Sequence, residues 1–164
     1  MSELKHIDID INKQQLTLFH GDNVIASYPV STAKNGVGQL YGSECTPLGL
    51  HQIRAKIGKN AEENAVFVAR RETGELFTEA LQQQNPQRDW ILTRILWLSG
   101  LESGKNRGGE VDTMRRYIYI HGCPDSDSFA KPSSHGCVKM RNKDVIALFD
   151  SVDPGIKVLI HQAE

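Results

Sequence analysis

The chain has 164 residues, of which 39% are hydrophobic and 24% are charged, and its formal net charge at pH 7 is −1. This length suits one domain with a core large enough to fold without disulfide staples. A nearly neutral chain lacks the positive field that gathers nucleic acid or anionic lipid, so we expect neither as a partner.

The N-terminal residues alternate polar and apolar side chains from the start. A secretory signal needs about 7–15 apolar residues in a row behind a positively charged region, and no such run occurs. The most apolar stretch, Trp90 to Leu98, includes Arg94 and is too short to span a bilayer. We therefore expect a cytoplasmic protein that does not enter the membrane.

Alternation with a period of two residues predicts strands through the first half of the chain. Three of them, separated by short polar turns, are expected to form an antiparallel meander: Leu4–Ile11, Gln15–Phe19 and Val24–Val30. Residues 31–49 are typical of a loop, and alternation resumes over Leu50–Ile57. A hairpin is expected from Ala65–Ala69 and Leu76–Thr78, joined through the turn-forming residues Glu72 to Glu75.

The second half combines further strands with one clear helix. Strands are predicted, in chain order, at Trp90–Ser99, Arg116–Ile120 and Ile156–His161. Thr78–Gln84 has a helix-compatible composition, and Asn142 is predicted to cap a longer helix that ends before Pro154. No linker or repeat is visible. The sequence favours one domain, residues 1–164, built as a mainly β sandwich or barrel-like sheet with the longer helix packed on it.

The tripeptide His-Gly-Cys occurs twice, ending at Cys123 and at Cys137. A thiol near its free pKa is only slightly ionised at neutral pH, so a nucleophilic cysteine needs a base within hydrogen-bond reach. His121 ends a predicted strand, and the sixteen residues to Cys137 can fold back to place the thiol beside the imidazole. Gly136 would allow nearby amides to point at a developing oxyanion. With no Asp or Asn at an obvious spacing, a carbonyl such as that of Gly122 is expected to orient the imidazole.

Two other interpretations of the repeated tripeptide stay open on spacing alone. His121, Cys123, His135 and Cys137 form a candidate zinc set, although each His-Cys pair is closer in sequence than structural zinc sites usually are. Alternatively, the cysteines are small buried residues and the glycines only form turns. The odd number of cysteines, three, argues against a disulfide framework in each case.

A family resemblance favours the catalytic interpretation. The segment Ser134-His135-Gly136-Cys137-Val138-Lys139-Met140, with His121-Gly122 sixteen residues before the cysteine, resembles the signature of the YkuD-type L,D-transpeptidase catalytic domain. Upstream, the segments Ser31 to Gly36 and Thr46 to Ile53 are similar to the family's glycine-rich loop and Thr-Pro-x-Gly strand start. The resemblance extends over roughly residues 4–161 and implies a mostly β sandwich that carries its site in a cleft.

The resemblance also assigns roles residue by residue. Cys137 matches the nucleophile, His121 matches the base, and Gly122 matches the residue whose carbonyl orients that base. The oxyanion-hole stretch corresponds to His135, Gly136 and Cys137.

The substrate that the resemblance implies is a peptidoglycan stem peptide, cleaved between the L-centre of diaminopimelate (or lysine) and D-alanine. Substrate carboxylates need cations, and Lys139 and Arg141 are the cations nearest to Cys137. Together with Ser134, the first residue of the motif, they are the predicted substrate-binding residues. Lys139 departs from the family pattern, which more often has Arg or Asn there. More distant candidates, better explained as solvated surface charges, are Arg70, Arg71, Arg115 and Arg116.

The acceptor decides the reaction that follows. Water gives L,D-carboxypeptidase activity and an amine gives transpeptidation, both from one thioester. A cytoplasmic location favours a carboxypeptidase that trims tetrapeptides during murein recycling, because no cross-linkable wall is present there. The alternatives are a transpeptidase that cross-links peptidoglycan or attaches D-amino acids, and a non-enzymatic stem-peptide binding module. We expect β-lactam adducts, above all with carbapenems, and no cofactor or metal, since no phosphate loop or dinucleotide fingerprint occurs.

Overall fold

The computed structural model describes residues 4–127 and 129–162. Besides a short 3-10 helix at Gly109–Val111, its elements in chain order are β1 (Lys5–Asp10), β2 (Gln15–His20), β3 (Asn23–Ser31), β4 (Gly49–Ile57), β5 (Ala65–Val68), β6 (Arg71–Leu76), α1 (Glu79–Gln84), β7 (Ile91–Gly100), β8 (Tyr119–Gly122), β9 (Val138–Met140), α2 (Asn142–Ser151) and β10 (Lys157–His161). Within the described ranges no helix is long and apolar enough to cross a membrane.

The strands form one sheet in the order β4-β10-β1-β2-β3-β9-β8-β7-β5-β6. Because β4 is hydrogen-bonded both to β10 and to β7, the sheet closes on itself like a barrel, and the β5–β6 hairpin extends from β7 outside that ring. The predicted mainly β fold with one main helix in the C-terminal region is confirmed.

The predicted antiparallel meander is also confirmed, as β1, β2 and β3 are successive antiparallel neighbours. Ile7 and Ile9 of β1 lie opposite Leu18 and Leu16 of β2, and all four side chains are fully buried. Residues between them point to the other face, since side chains alternate along a strand. The alternation in the sequence therefore fixes which face of this part of the sheet is the core.

The apolar face of α2 joins the same core. Val145, Leu148 and Phe149 are buried in one cluster with Ile120 and Val138 of the central strands. A helix that contributes a stripe of apolar residues to the interior of a sheet is stabilised by that burial more than by its own propensity.

The predicted start of this helix was wrong by one residue. Arg141 is the N-cap and makes no side-chain capping bond, while Asn142 is the first helical residue and is fully buried. The Asn142 side chain accepts a hydrogen bond from Thr93 Oγ1 at 2.6 Å and donates to Asn64 Oδ1 at 3.0 Å. Thr93 has φ 76° at a bulge in β7. The amide therefore ties α2 to this bulge instead of capping the helix.

The hairpin turn was also placed wrongly. The chain reverses at Ala69 and Arg70, which both have positive φ (49° and 66°), so two residues connect β5 to β6. Paired positive φ values are typical of the tight turns that suit the twist of a hairpin. Residues 72–75, the predicted turn, lie within β6 instead.

The strand that leads to His121 is shorter than predicted. Residues 114–117 form a turn in which Tyr117 N donates to Met114 O and Tyr117 has φ 56°. β8 therefore begins at Tyr119 rather than at Arg116.

Replacing Asn142 by alanine should destabilise the fold. The buried Thr93 hydroxyl would lose its acceptor and the partly buried Asn64 Oδ1 would lose its donor, and such unsatisfied groups cost about 1–3 kcal/mol each. We expect the free energy of unfolding to fall by roughly 2–4 kcal/mol in urea titrations followed by circular dichroism, with an unchanged m-value. Lys143→Ala, on the exposed face of the same helical turn, is the matched control. Equal losses in the two variants would contradict the role assigned to Asn142.

Candidate active site

The pairing of β8 with β9 brings the two predicted catalytic residues to one face of the sheet. The strands run parallel, with Ile120 opposite Val138 and His121 opposite Lys139. Because Ile120 and Val138 face the core, the residues that alternate with them face outward. His121 and Cys137, the residue just before β9, are therefore diagonal neighbours on the outer face of the closed sheet.

Cys137 opens into a cleft of about 410 Å³. Its lining comes from the β5–β6 turn, the start of β7, the segment before β8 and the loop before β9: Ala69, Arg70, Asp89, Ile91, Arg116, Tyr117, Ile118, Tyr119, His135 and Cys137. A smaller cavity of about 220 Å³ adjoins it, lined by Tyr41, Gly42 and Glu44 together with Arg116–Ile118 and His135. A larger cavity of about 630 Å³, beside β1 and β10, has no cysteine in its lining.

The Cys137 thiol is held by backbone groups. Its sulfur accepts a hydrogen bond from Tyr119 N at 3.3 Å and donates one to Tyr117 O at 3.4 Å. Burial raises the pKa of the Cys137 thiol to about 12, and the Tyr119 amide offsets only part of that effect. The resting side chain of Cys137 is therefore a neutral thiol.

His121 is buried and oriented by a neighbouring carbonyl. Its Nδ1 lies 2.6 Å from Gly122 O, and since a carbonyl can only accept, Nδ1 carries the proton and Nε2 is the acceptor nitrogen. Burial lowers the pKa of His121, outweighing Asp89 and the Gly122 carbonyl, which act in the opposite direction. The imidazole is thus a neutral base, oriented in the way that the family resemblance implies.

Close packing explains why residue 122 is a glycine. A Cβ there would lie 2.6 Å from Leu92 O and would overlap Asn142 Oδ1. Gly122 pairs with Leu92 of β7 beside the bulge that Asn142 holds. The carbonyl that orients His121 is therefore fixed by the same contacts that fix α2.

Cys137 and His121 share a face, but among the described residues no hydrogen bond joins them. The thiol donates to Tyr117 O instead. Catalytic hydrogen bonds are often long or misaligned before substrate binds. Transfer of the thiol proton to His121 therefore requires the thiol to turn away from Tyr117.

Ser134, predicted to bind substrate, has its hydroxyl engaged within its own loop. It is buried, donates to Cys137 O at 2.5 Å, and accepts from Gly136 N at 3.2 Å. Gly136 has φ 128°, and its carbonyl accepts from Thr46 Oγ1 at 2.9 Å. Ser134 thus shapes the turn before the nucleophile. The Gly136 amide is already engaged, and the oxyanion role of the amides of His135 and Cys137 stays a prediction.

The other two predicted substrate contacts do not line the cleft of Cys137. Lys139 Nζ forms an ion pair with Asp127 at 2.9 Å, and its side chain is only 12% exposed. Arg141 is exposed just after the end of β9, with its guanidinium 5.0 Å from the centre of the Phe129 ring. Lys139 shares the outer face of β9 with Cys137, opposite His121, but its charge is already paired with Asp127.

Two arginines that were expected to be solvated surface charges line the cleft instead. Arg116 is half-buried and donates to the carbonyls of Gly38, Gln39 and Cys45. Arg70 reaches the cleft from the β5–β6 turn. For Arg116, the sequence contained one indication of a place in the cleft, because this residue lies shortly before the strand that contains His121. It contained none for Arg70, because only the pairing of β5 with β6 brings that residue to the cleft.

The four residues of the candidate zinc set are not gathered as ligands. Within the parts of the chain that the structure describes, no group of three or more His, Cys, Asp or Glu side chains could hold a metal ion. Cys123 is fully buried and its sulfur donates to Met140 O at 3.4 Å, and burial raises its thiol pKa. His135 is exposed, with Nδ1 3.8 Å from Asp89 Oδ1.

Several solved structures that share this fold are L,D-transpeptidases. They include one from Xylanimonas cellulosilytica (20% identity, TM-score 0.55, covering 98% of this chain and 62% of that one). An Enterococcus faecium mutant has 15% identity and a TM-score of 0.58, covering 98% of this chain and 50% of that one. L,D-transpeptidase 3 from Mycobacterium tuberculosis, in complex with a faropenem-derived adduct, has 13% identity and a TM-score of 0.58, covering 97% and 60%. At such identities the likeness shows the fold, and the chain spans only half to two thirds of those chains.

A search of curated proteins finds no match. The model of the YkuD family, described as the L,D-transpeptidase catalytic domain, matches residues 4–160, nearly the whole chain. The chain therefore belongs to the YkuD family of L,D-transpeptidase catalytic domains.

Proposed function

We propose that this protein is a cysteine-dependent L,D-carboxypeptidase that removes D-alanine from peptidoglycan stem tetrapeptides. The observation that carries the proposal is the placement of Cys137 in an open cleft on the same face of the sheet as His121, whose Nε2 is an acceptor. Membership in the family supports acyl transfer by the cysteine. The expected acyl donor is the carbonyl of the L-centre of the third stem residue.

The chemistry follows from these two side chains. As the Cys137 sulfur attacks the substrate carbonyl carbon, His121 Nε2 accepts the thiol proton, and the amides of His135 and Cys137 stabilise the oxyanion. The carbon–nitrogen bond then breaks, the leaving D-alanine takes the proton from His121, and a thioester remains. Attack by water, with His121 again accepting a proton, releases the tripeptide and restores the thiol.

Burial of the pair supports proton transfer coupled to attack. It raises the pKa of the Cys137 thiol to about 12 and lowers that of His121, so both effects favour a neutral thiol beside a neutral imidazole. Because both groups are neutral, His121 must accept the thiol proton while the sulfur attacks. This is general-base catalysis and not the reaction of a thiolate that is already formed.

The choice of water as acceptor rests on the expected cytoplasmic location, which is itself part of the proposal. Stem peptides in the cytoplasm are recycled fragments or nucleotide-linked precursors, so an acyl-enzyme there meets water rather than an acceptor strand of the wall. Transpeptidation uses the same acyl-enzyme with an amine acceptor, and it is the second candidate function.

The reaction is tested with a tetrapeptide fragment, with and without a second stem peptide as amine acceptor, by weighing the products. We expect a tripeptide and free D-alanine in both mixtures, and no turnover by the Cys137→Ala protein. Cys123→Ala removes a buried thiol outside the cleft and should retain turnover. If a cross-linked peptide were the main product, the protein would be a transpeptidase rather than a carboxypeptidase. Turnover by the Cys137→Ala protein would exclude Cys137 as the nucleophile.

The pH dependence of kcat/KM should report the buried base. His121 must be neutral to accept the thiol proton, and burial lowers its pKa below the usual 6.5, although Asp89 and Asp127 oppose that shift and Lys139 assists it. Activity should therefore be retained as the pH falls to 6.5 and decline only below that value. An acidic limb centred above pH 6.5 would contradict a desolvated neutral imidazole.

Carbapenems should acylate the same thiol. A sulfur that attacks a peptide carbonyl should also attack a strained lactam carbonyl, and structural relatives include a complex with imipenem. We expect one adduct per chain by intact-mass spectrometry, mapping to Cys137, with His121→Ala slowing its formation by about 10²–10⁴-fold. An adduct on Cys45 or Cys123 in the wild-type protein would show that another thiol is the activated one.

A further inference from the structure

The guanidinium of Arg70 is held in a fixed orientation at the wall of the cleft. Arg70 is the second residue of the two-residue turn between β5 and β6, with φ 66°. Its Nη1 donates to the Tyr119 hydroxyl at 3.0 Å, and its guanidinium carbon lies 4.6 Å and 4.9 Å from the ring centres of Tyr117 and Trp97. Stacking on two aromatic rings with one hydrogen bond fixes the plane of the guanidinium.

Within the described parts of the chain, the charge of Arg70 has no carboxylate partner. Over residues 4–127 and 129–162, no Asp or Glu oxygen lies within 4.0 Å of its guanidinium. A guanidinium has five N–H donors, and the Tyr119 hydroxyl takes one of them. The site therefore holds a preorganised cation with donors to spare.

Arg70 is connected to Cys137 through Tyr119. Tyr119, which accepts from Arg70 through its hydroxyl, donates its amide to Cys137 Sγ at 3.3 Å, and all three residues line one cleft. Arg116, the other arginine of the cleft, already donates to three backbone carbonyls and to Ser43 Oγ. Arg70 is thus the better placed of the two to receive a ligand.

We propose that Arg70 binds a carboxylate of the acyl donor and so selects stem peptides over neutral peptides. The inference rests on the proposed function for the identity of the substrate. Planar guanidinium groups bind carboxylates through paired hydrogen bonds. The candidates are the two carboxylates next to the scissile bond of a diaminopimelate tetrapeptide: the C-terminal one of the leaving D-alanine, and the one on the D-centre of diaminopimelate.

Binding is measured by calorimetry in the Cys137→Ala background, so that it does not depend on turnover. Arg70→Gln should weaken the affinity for the tetrapeptide by about 10- to 100-fold, the span expected on losing hydrogen bonds to a charged group. Arg70→Lys keeps the positive charge but lacks the planar guanidinium, so its affinity should lie between that of the protein with Arg70 and that of Arg70→Gln. Arg71→Gln, at the exposed neighbouring position, is the matched control and should change affinity less than about twofold. Circular dichroism verifies that each variant is folded.

Two further peptides identify the carboxylate. If Arg70 binds the D-alanine terminus, Arg70→Gln should have no effect on a tetrapeptide that ends in D-alaninamide. If it binds the diaminopimelate carboxylate, the effect should vanish with lysine at the third position. The inference is overturned if Arg70→Gln binds the tetrapeptide like Arg71→Gln, if all three peptides are weakened equally, or if the Cys137→Ala protein binds no tetrapeptide. Absence of wild-type turnover alongside an Arg70-dependent affinity would refute the proposed reaction and leave the binding role intact.

Discussion

The parallel pairing of β8 with β9 is the constraint on which the active site depends. Parallel neighbours cannot be joined by a tight turn, so the chain between His121 and Cys137 must travel back before β9 begins. That return is anchored to the end of β3: Ser31 Oγ donates to Lys131 O, and the amides of Ser133 and Ser134 donate to Thr32 O. Cys137 and His121, the proposed nucleophile and base, are thus held in place by hydrogen bonds to the backbone of this return rather than by a bond between their own side chains.

Support for the base comes from behind the sheet. The bulge of β7 at Thr93 is bonded to Asn142, and the resulting close packing leaves room only for glycine at position 122. The carbonyl of Gly122 then fixes the tautomer of His121. A buried polar side chain, satisfied on both sides, contributes here to the orientation of a base that it does not touch.

Patterns in the sequence predicted the structural features that are determined by residues close together in the chain. Alternation located β1 to β3, and the motif around Cys137, read with His121, identified the two residues that the fold brings to one face. The rest depends on contacts between distant segments. Ser134 was predicted to bind substrate, yet the folding of its loop turns its hydroxyl onto Cys137 O. Arg70 lies 67 residues before Cys137 and meets the cleft only because hairpin pairing carries it there.

The distribution of charge in the site follows from the cost of burying ions. A thiolate and an imidazolium held together in a dry site would each lose hydration that their attraction repays only in part. Burial accordingly favours the neutral forms of Cys137 and His121, while the ionisable side chains of Arg70 and Asp89 lie at the partly exposed wall of the cleft. In the proposed reaction, charges at the wall meet a charged peptide while water still screens them, and the thiol proton moves only when the substrate carbonyl is in place. A thiol that remains protonated before that moment is also protected from reactions that require a thiolate.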